Sequence, residues 1–290
     1  MKIYFNCELV SEEDARVSVF DRGFMYGDGV FETMRAYGGV VFKINDHIDR
    51  LRRSLTMIRL ENLPLSDESL CEAIYDTLNA NAVTEAVVRL SVSRGEGPIG
   101  LSIAFCRQPM IVIAARPFTP YPEDYYTNGI KLITAKIIRT PANALNPMIK
   151  SLNFLNNILA KAEADDVAAH EALMCNVNGH LAECSTSNIF FIKEATLYTP
   201  SVKSGILDGV MRAQVLELAC EAELQVVEGE FFPATLYRAD EVFVTNSVME
   251  IMPVTAVDAV TYPVGRATVK LMKAFSKHME RYLQPRQYRQ

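Results

Sequence analysis

Apolar and polar residues follow strand and helix patterns over the first 118 residues. Short apolar or β-branched runs between turns predict strands, and apolar residues three and four positions apart predict helices. The predicted strands are Lys2–Phe5, Val17–Phe20, Val30–Tyr37, Val40–Lys43, Ala86–Ser93 and Met110–Ala115. One predicted helix is capped by Asn45 or Asp46 and has an apolar stripe from Ile48 to Ile58. A second begins at Ser66, with Ser69 as a later alternative.

A proline-rich segment separates this region from a second half. Residues 116–126 read RPFTPYPEDYY, and their three prolines disfavour both a helix and a central strand. We therefore expect an N-terminal domain at 1–118, an interdomain loop at 119–126 and a C-terminal domain at 127–290. The whole pattern predicts an α+β fold with a cleft between the halves.

The second half alternates predicted strands and helices. The strands are Lys131–Arg139, Ala172–Val177, Ile189–Lys193 and Val242–Thr245. The helices are Ser151–Asp165, Val210–Ala222 and Arg266–Leu283. In the first of these helices one side carries Leu152, Leu155, Ile158, Leu159 and Ala162.

Composition and charge exclude several classes of protein. The 290 residues are 49% hydrophobic and 22% charged, with a net charge of −6, so the chain is too apolar for disorder and its scattered basic residues disfavour nucleic-acid binding. No run predicts a membrane span, and we expect no signal peptide at the start. Six cysteines without a CxxC pair and four histidines without ligand spacing favour a cytoplasmic protein that holds no metal.

Lys150 and Glu183 are the first candidates for chemistry. Lys150 lies between a proline-containing approach and an apolar stretch, where partial desolvation lowers the pKa of an amine and makes it a Schiff-base nucleophile. Glu183, beside Ser185 and Asn188 in a polar stretch, could keep a heterocyclic nitrogen protonated. Taken singly, a solvated lysine and a loop-capping glutamate are competing interpretations.

Arg50 and the turn Ser204–Arg212 are candidate phosphate ligands. A guanidinium on a helix whose apolar stripe faces inward can bind a phosphate at the edge of a cleft. The turn leads into a helix whose first amides, those of Val210 and Met211, suit an anion. A solvated helix face and an ordinary glycine turn are the competing interpretations, but the four features together match the needs of pyridoxal phosphate.

Seven motifs extend over nearly the whole chain, at 17–37, 46–54, 89–97, 149–164, 179–190, 205–212 and 240–254. Their order and wording resemble the fold-type IV (class IV) pyridoxal-phosphate aminotransferases, which include branched-chain and D-amino-acid aminotransferases and aminodeoxychorismate lyase. The overall likeness is nearest to the branched-chain enzymes. The resemblance implies a small N-terminal α/β sandwich-like domain and a larger C-terminal pseudo-barrel domain. It also implies pyridoxal 5'-phosphate as cofactor and a homodimer with a shared active site.

The resemblance also implies residue roles. Lys150 would be the catalytic Schiff-base lysine, and Glu183 the partner of the pyridine nitrogen. The implied cofactor-binding residues are Arg50, Lys150, Glu183, Ser185, Asn188, Leu207, Val210, Met211, Asn246 and Ser247. The implied substrate-binding residues are Tyr26, Phe31, Arg89, Val248 and Met249.

The implied reaction moves the amino group of a branched-chain or other hydrophobic L-amino acid to 2-oxoglutarate. Arg89 resembles the arginine by which branched-chain enzymes receive the side-chain carboxylate of glutamate. A D-amino-acid aminotransferase is one alternative, although the arginine and histidine of its usual carboxylate trap are replaced by Ile99 and Leu101. Aminodeoxychorismate lyase is another, because residues 245–247 resemble its Thr-Asn-Ser segment. A non-catalytic phosphate-ligand binding protein is a third.

Overall fold

The computed structural model describes residues 1–106 and 108–284, and the chain divides into two compact units. The first unit comprises Met1–Thr119 and Ile149–Phe154, whereas the second takes in Pro120–Met148 and continues from Leu155. The segment that holds Lys150 therefore groups with the first unit, although the sequence-based boundaries place it in 127–290. The backbone explains this grouping, because Phe31 N donates to the Lys150 carbonyl at 2.9 Å. The boundaries themselves stay a prediction.

The first unit is a sheet covered on one face by two helices. Its sheet has the strand order β2-β1-β6-β5-β3-β4. The elements are β1 (Lys2–Phe5), β2 (Glu8–Ser11), α1 (Arg22–Tyr26), β3 (Gly29–Tyr37), β4 (Val40–Val41), α2 (Ile44–Met57), α3 (Asp67–Ala80), β5 (Ala86–Ser93) and β6 (Met110–Pro117).

Strict alternation of side chains builds the core of this unit. In β5, Ala86, Val88, Leu90 and Val92 are fully buried and point toward α2 and α3, and the residues between them face the other side of the sheet. Ser66 caps α3 by accepting from Ser69 N at 3.2 Å, which confirms the predicted start of that helix. The predicted caps of α2 are wrong, because the helix begins at Ile44 and Lys43 precedes it without a side-chain cap.

The second unit is built on a larger mixed sheet. Its main path runs β12-β11-β10-β13-β14-β7-β8-β9, with β15 beside β14, and the sheet curls into a half-barrel. The elements are α4 (Glu123–Asn128), β7 (Ile130–Thr134), α5 (Leu155–Asp166), β8 (Glu171–Cys175), β9 (Leu181–Cys184), β10 (Asn188–Lys193), β11 (Thr196–Pro200), α6 (Val210–Glu221), β12 (Gln225–Gly229), α7 (Pro233–Leu236), β13 (Glu241–Asn246), β14 (Glu250–Val257), β15 (Val260–Thr261) and α8 (Arg266–Leu283).

The α+β fold class is confirmed, and several local predictions are wrong. Residues 17–20 form no strand, and β7 ends at Thr134 rather than at Arg139. The loop predicted at 119–126 contains the start of α4, which begins directly after Pro122 because proline is tolerated at a helix entry. No helix within 1–106 or 108–284 is long and apolar enough to cross a membrane.

Helix α5 departs most from its prediction. It begins at Leu155, because Ser151 forms a β-bridge with Val30 and Leu152 N donates to the Gly29 carbonyl at 2.9 Å, so residues 151–154 are not helical. Its buried residues are Asn157, Ala160 and Ala164, whereas Leu155 is 64% exposed. The small alanines let the helix approach β8 closely, so the larger apolar side chains point outward.

Candidate active site

Lys150 is held by its backbone in the first unit. Its N–H donates to Ser54 Oγ at 3.3 Å, and its carbonyl accepts from Phe31 N at 2.9 Å. The preceding residue, Ile149, packs against the apolar core. The side chain is half-buried, and Nζ lies 4.6 Å from the centroid of the Phe31 ring. The amine is therefore partly desolvated beside an aromatic face.

Phe31 brings three predicted site residues together. Its ring, on the face of β3 opposite the core, has the Arg89 guanidinium carbon 3.5 Å from its centroid and the Lys150 amine nearby. Phe154 meets the same ring edge-on at 5.4 Å. The described contacts of Tyr26 lie elsewhere, with its hydroxyl accepting from Gly100 N at 3.2 Å.

Arg50 is buried against a carboxylate that the sequence analysis missed. Its Nε and Nη2 donate to the two oxygens of Glu32 at 2.8 and 2.7 Å, and His47 Nδ1 lies 2.7 Å from Glu32 Oε2. Arg50 is 4% exposed, so its side chain is not on a solvated helix face, and its place at the edge of a cleft stays a prediction. A charged residue at a core-facing position of an apolar strand is the signal that could have found Glu32.

The pKa values of this cluster follow from burial and charge. Burial alone would raise the pKa of Glu32, but the Arg50 guanidinium and the His47 contact outweigh it and hold that pKa far below its usual range. Burial lowers the pKa of His47, and Arg50 and Lys150 lower it further against the opposing effect of Glu32. The imidazole is therefore neutral at neutral pH, and the carboxylate is ionised.

Glu183 is a buried, hydrogen-bonded carboxylate of the second unit, as Glu32 is of the first. It lies on β9 and is 5% exposed. Oε2 accepts from Leu207 N at 2.9 Å and from Asn188 Nδ2 at 3.3 Å. Oε1 lies 2.9 Å from Arg139 Nη2. One backbone amide, one side-chain amide and one cation thus surround this carboxylate.

Arg139 was not recognised from the sequence. It is 8% exposed and also donates from Nη1 to Asn157 Oδ1 at 3.1 Å, while Asn157 Nδ2 donates to the Ser185 carbonyl at 2.8 Å. The chain of contacts ties Glu183 to α5 and to the turn after β9. The partners of Arg139 are distant in sequence, so the residues next to it do not indicate its role.

Glu171 fixes the turn between Glu183 and Asn188. This buried carboxylate accepts from the Ser185 hydroxyl, from Thr186 Oγ1 at 2.6 Å and from Ser187 Oγ at 3.1 Å. A hydroxyl has one hydrogen, so Ser185 can only accept from a further ligand. The neighbouring Cys184 thiol has its pKa raised by burial, as expected for a packed, unreactive residue.

The start of α6 suits an anion. Gly209 precedes the helix without a side-chain cap, and no acidic residue lies in the first turn, so no side chain of Gly209 occupies the first N–H groups of the helix, those of Val210 and Met211 among them. A Cβ on Gly209 would collide with Asn188 Oδ1. Asn188 Nδ2 also donates to the Leu207 carbonyl at 3.0 Å, so it joins this turn to Glu183.

The turn from Asn246 to Met249 is held by the side chain of its first residue. Asn246 Oδ1 accepts from Val248 N and Met249 N, both at 2.9 Å, and Asn246 Nδ2 donates to the Thr186 carbonyl at 3.2 Å. The Met249 carbonyl accepts from Tyr126 Oη at 3.2 Å. Two of the predicted substrate-binding residues thus have their amides paired within the turn.

Comparison with curated proteins gives full-length relatives. The family model described as amino-transferase class IV matches residues 29–257. The chain is 42% identical to the "Putative branched-chain-amino-acid aminotransferase" of Methanocaldococcus jannaschii, over 95% of both chains. It is 36% identical to a D-alanine aminotransferase of Listeria monocytogenes over 97% of both, and 34% identical to an aminodeoxychorismate lyase of Bacillus subtilis over 96% and 94%.

Solved structures give the same overall fold. The branched-chain aminotransferase of the archaeon Thermoproteus uzoniensis, solved with norvaline, has a TM-score of 0.92 at 31% identity, with 98% of this chain and 96% of that chain covered. The branched-chain amino acid aminotransferase of Escherichia coli has a TM-score of 0.91 at 31% identity, with 95% and 93% covered. A further branched-chain amino acid aminotransferase, at 29% identity and a TM-score of 0.91, was solved with pyridoxamine 5'-phosphate.

Proposed function

The chain belongs to the class IV aminotransferases, and from this premise we propose that it moves the amino group of a hydrophobic, branched-chain-like L-amino acid to 2-oxoglutarate. It is a pyridoxal-phosphate-dependent transaminase. The proposal therefore concerns the substrates and the residue roles.

The residues of each unit fit this cofactor. In the first unit, Lys150 offers a partly desolvated amine and Arg50 a cation for the phosphate. In the second unit, Glu183 offers a carboxylate paired with Arg139, and the uncapped start of α6 offers amides for the phosphate. When bound, the cofactor supplies an aldehyde that links to an amine and a ring that accepts electrons.

We assign Lys150 both the covalent attachment and the proton transfer. Its backbone is fixed at both N–H and C=O, so Lys150 can move only its side chain. Nζ would hold the cofactor covalently, and it would also serve as the base that takes the α-proton of the substrate and as the acid that gives the proton back. Glu183 would lie against the pyridine nitrogen, because a carboxylate favours the protonated form of a basic partner.

The observation that carries the substrate proposal is the pairing of Phe31 with Arg89. An aromatic ring and a guanidinium lie in contact, with the Lys150 amine 4.6 Å from the same ring. The ring offers apolar surface to a hydrophobic side chain. The guanidinium offers a partner to the side-chain carboxylate of glutamate or 2-oxoglutarate. A transaminase that alternates between these two substrates needs both surfaces.

A donor panel tests the proposal. Holoenzyme is mixed with single L- or D-amino acids, and the change in the absorbance of the cofactor is followed without a keto acid. L-Leucine, L-valine and L-glutamate should react. Arg89→Met should lower kcat/KM for L-glutamate about tenfold or more while changing that for L-leucine less than about threefold. Equal losses for both donors, or silence with every L-amino acid, would refute the substrate assignment.

The relatives favour two alternatives, one tested by the D-amino acids of the donor panel and the other by a separate assay for pyruvate. Likeness to D-alanine aminotransferases predicts reaction with D-alanine or D-glutamate. Likeness to aminodeoxychorismate lyase, with Asn246 and Ser247 in the β13–β14 turn, predicts pyruvate release from aminodeoxychorismate without a keto-acid acceptor. A response to either of these substrates alone would replace the L-specific proposal.

A cytoplasmic homodimer with a shared active site belongs to the same proposal. All six cysteines are free thiols, as in a reducing compartment. The loop between β5 and β6 exposes Ile99 (82%), Leu101 (80%) and Phe105 (68%). Such apolar side chains favour coverage by a second copy of the chain. Sedimentation equilibrium of the holoenzyme should give twice the chain mass, and a monomer would contradict this part.

A further inference from the structure

Helix α2 carries a buried polar stripe inside an apolar face. His47, Arg50 and Ser54 are three and four residues apart, so they lie on one side of the helix. Each is at most 4% exposed, among the buried Ile48, Leu51 and Leu55. Polar groups are seldom buried in such a face without a specific partner.

The partner is Glu32, at a core-facing position of β3. It is fully buried and lies between the core residues Val30 and Met34 of the same face. Arg50 reaches both carboxylate oxygens, and His47 lies 2.7 Å from Oε2. Because the ionised carboxylate can only accept, Nδ1 of His47 carries a hydrogen and donates it to Glu32. With the imidazole neutral, Glu32 and Arg50 supply one negative and one positive charge.

A buried ion pair of this kind adds little stability compared with apolar residues of similar volume, so stability alone does not account for it. Its geometric effect is stronger. The Nε and Nη2 bonds fix the plane of the Arg50 guanidinium, and the His47 contact fixes the carboxylate that anchors it. A guanidinium oriented in advance loses less entropy when it binds a phosphate.

The same two elements also hold Lys150. Ser54 on α2 accepts from Lys150 N, and Phe31, next to Glu32 on β3, donates to the Lys150 carbonyl. The side chain that binds phosphate and the backbone that carries the reactive amine are thus attached to one helix and one strand.

We propose that Glu32 and His47 are positioning residues that hold Arg50 in the orientation required for the phosphate of the cofactor. This inference rests on the proposed function. It predicts the direction in which the affinity for phosphate changes when Glu32 loses its charge, and a purely electrostatic view predicts the opposite direction. Removing the negative charge of Glu32 would strengthen phosphate binding if charge dominated, whereas it weakens binding if orientation dominates.

The test compares pyridoxal phosphate with pyridoxal, which carries the same aldehyde and ring without the phosphate. Dissociation constants of both are measured on the apoenzyme by the absorbance of the bound cofactor. Glu32→Gln should weaken pyridoxal phosphate binding about tenfold to a hundredfold and pyridoxal binding less than about threefold. His47→Leu should act in the same direction, and His47→Asn, which keeps a donor for Glu32, should restore most of the affinity.

Asp28→Asn is the matched control. Asp28 also accepts from two arginines of this unit, Arg22 and Arg94, each at 2.8 Å. Its loss should leave the affinity ratio of the two ligands unchanged. In a second readout, inorganic phosphate should raise the melting temperature of the wild-type apoenzyme more than that of Glu32→Gln, which separates phosphate binding from general destabilisation.

Two results would overturn the inference. One is a tighter or unchanged affinity of Glu32→Gln for pyridoxal phosphate, and the other is an equal weakening for both ligands. If Glu32→Gln does not fold, the inference is tested with His47→Leu and His47→Asn, by comparing their affinities for pyridoxal phosphate and for pyridoxal in the same way. Failure of the proposed function would look different, because the wild-type chain itself would then transfer no amino group between L-amino acids and 2-oxoglutarate.

Discussion

Replacement of Arg139 by methionine tests the electrostatic account of Glu183. The substitution removes the cation 2.9 Å from Glu183 Oε1 and keeps an unbranched apolar stem in its place. Glu183 would remain buried with two donors on Oε2, from Leu207 N and Asn188 Nδ2. We expect the lost ion pair to dominate the change in the free energy of unfolding. The Arg139 side chain is only 10% exposed, so bulk water cannot solvate Glu183 in place of the guanidinium.

The magnitude follows from the burial of both partners. Removal of one member of a buried ion pair costs about 3–5 kcal/mol, because the other charge is left uncompensated. The two remaining donors on Glu183 place the expected loss near the lower limit, about 3 kcal/mol in the free energy of unfolding of the apoenzyme.

Urea unfolding of the apoenzyme measures this loss, and a double-mutant cycle isolates the pair. Glu183→Gln removes the charge that Arg139 compensates, so the double variant should regain about 2 kcal/mol relative to the sum of the single losses. Arg212→Met is the control, because its side chain is as buried as that of Arg139 but its partner Glu228 is 46% exposed and can be rehydrated. Its cost should therefore be smaller, about 1–2 kcal/mol, and should come mainly from the lost hydrogen bond to the Pro200 carbonyl. Additive single losses, or equal losses at Arg139 and Arg212, would refute the reasoning.

Two further predictions concern pH and the start of α6. Burial lowers the pKa of His47 below its ordinary 6.5, so the unfolded chain takes up a proton that the folded chain does not, and the free energy of unfolding should fall as the pH drops below about 6.5. Urea titrations at pH 7 and pH 5 should show a smaller fall for His47→Asn, and equal falls would contradict the assignment. Gly209→Ala should weaken binding of pyridoxal phosphate about tenfold, because the added Cβ would displace the Asn188 side chain. Backbone strain does not contribute, since the φ of −74° at Gly209 suits any residue. An unchanged dissociation constant would show that Asn188 does not organise the turn.

The sequence predicted elements well where side-chain periodicity and local caps decide the structure. Strand β5 and helix α8 have the predicted bounds, and α3 starts at its predicted cap. The predictions fail where tertiary contacts override local preference. Leu152 to Phe154 read as the start of a helix, but the chain is pinned there by the bridge between Ser151 and Val30.

The candidate site shows the same division. Lys150, Glu183 and Arg50 could be selected because motifs surround them, and Lys150, Phe31 and Arg89 are in contact as members of one unit. The residues that support them were missed. Glu32 and Arg139 act through contacts 18 and 44 residues away in sequence, and a single sequence shows no pattern for such pairs. Of these two residues, only Glu32 has a signal in the sequence, because it is a charged residue at a core-facing position of a strand.

The most direct measurement of the central claim is the site of covalent attachment. Holoenzyme is reduced with borohydride, digested, and the peptides are analysed by mass spectrometry. We predict one phosphopyridoxyl group on the peptide that contains Lys150, and none on Lys150→Ala treated in parallel. Attachment to a different lysine, or full transaminase activity in Lys150→Ala, would contradict the account.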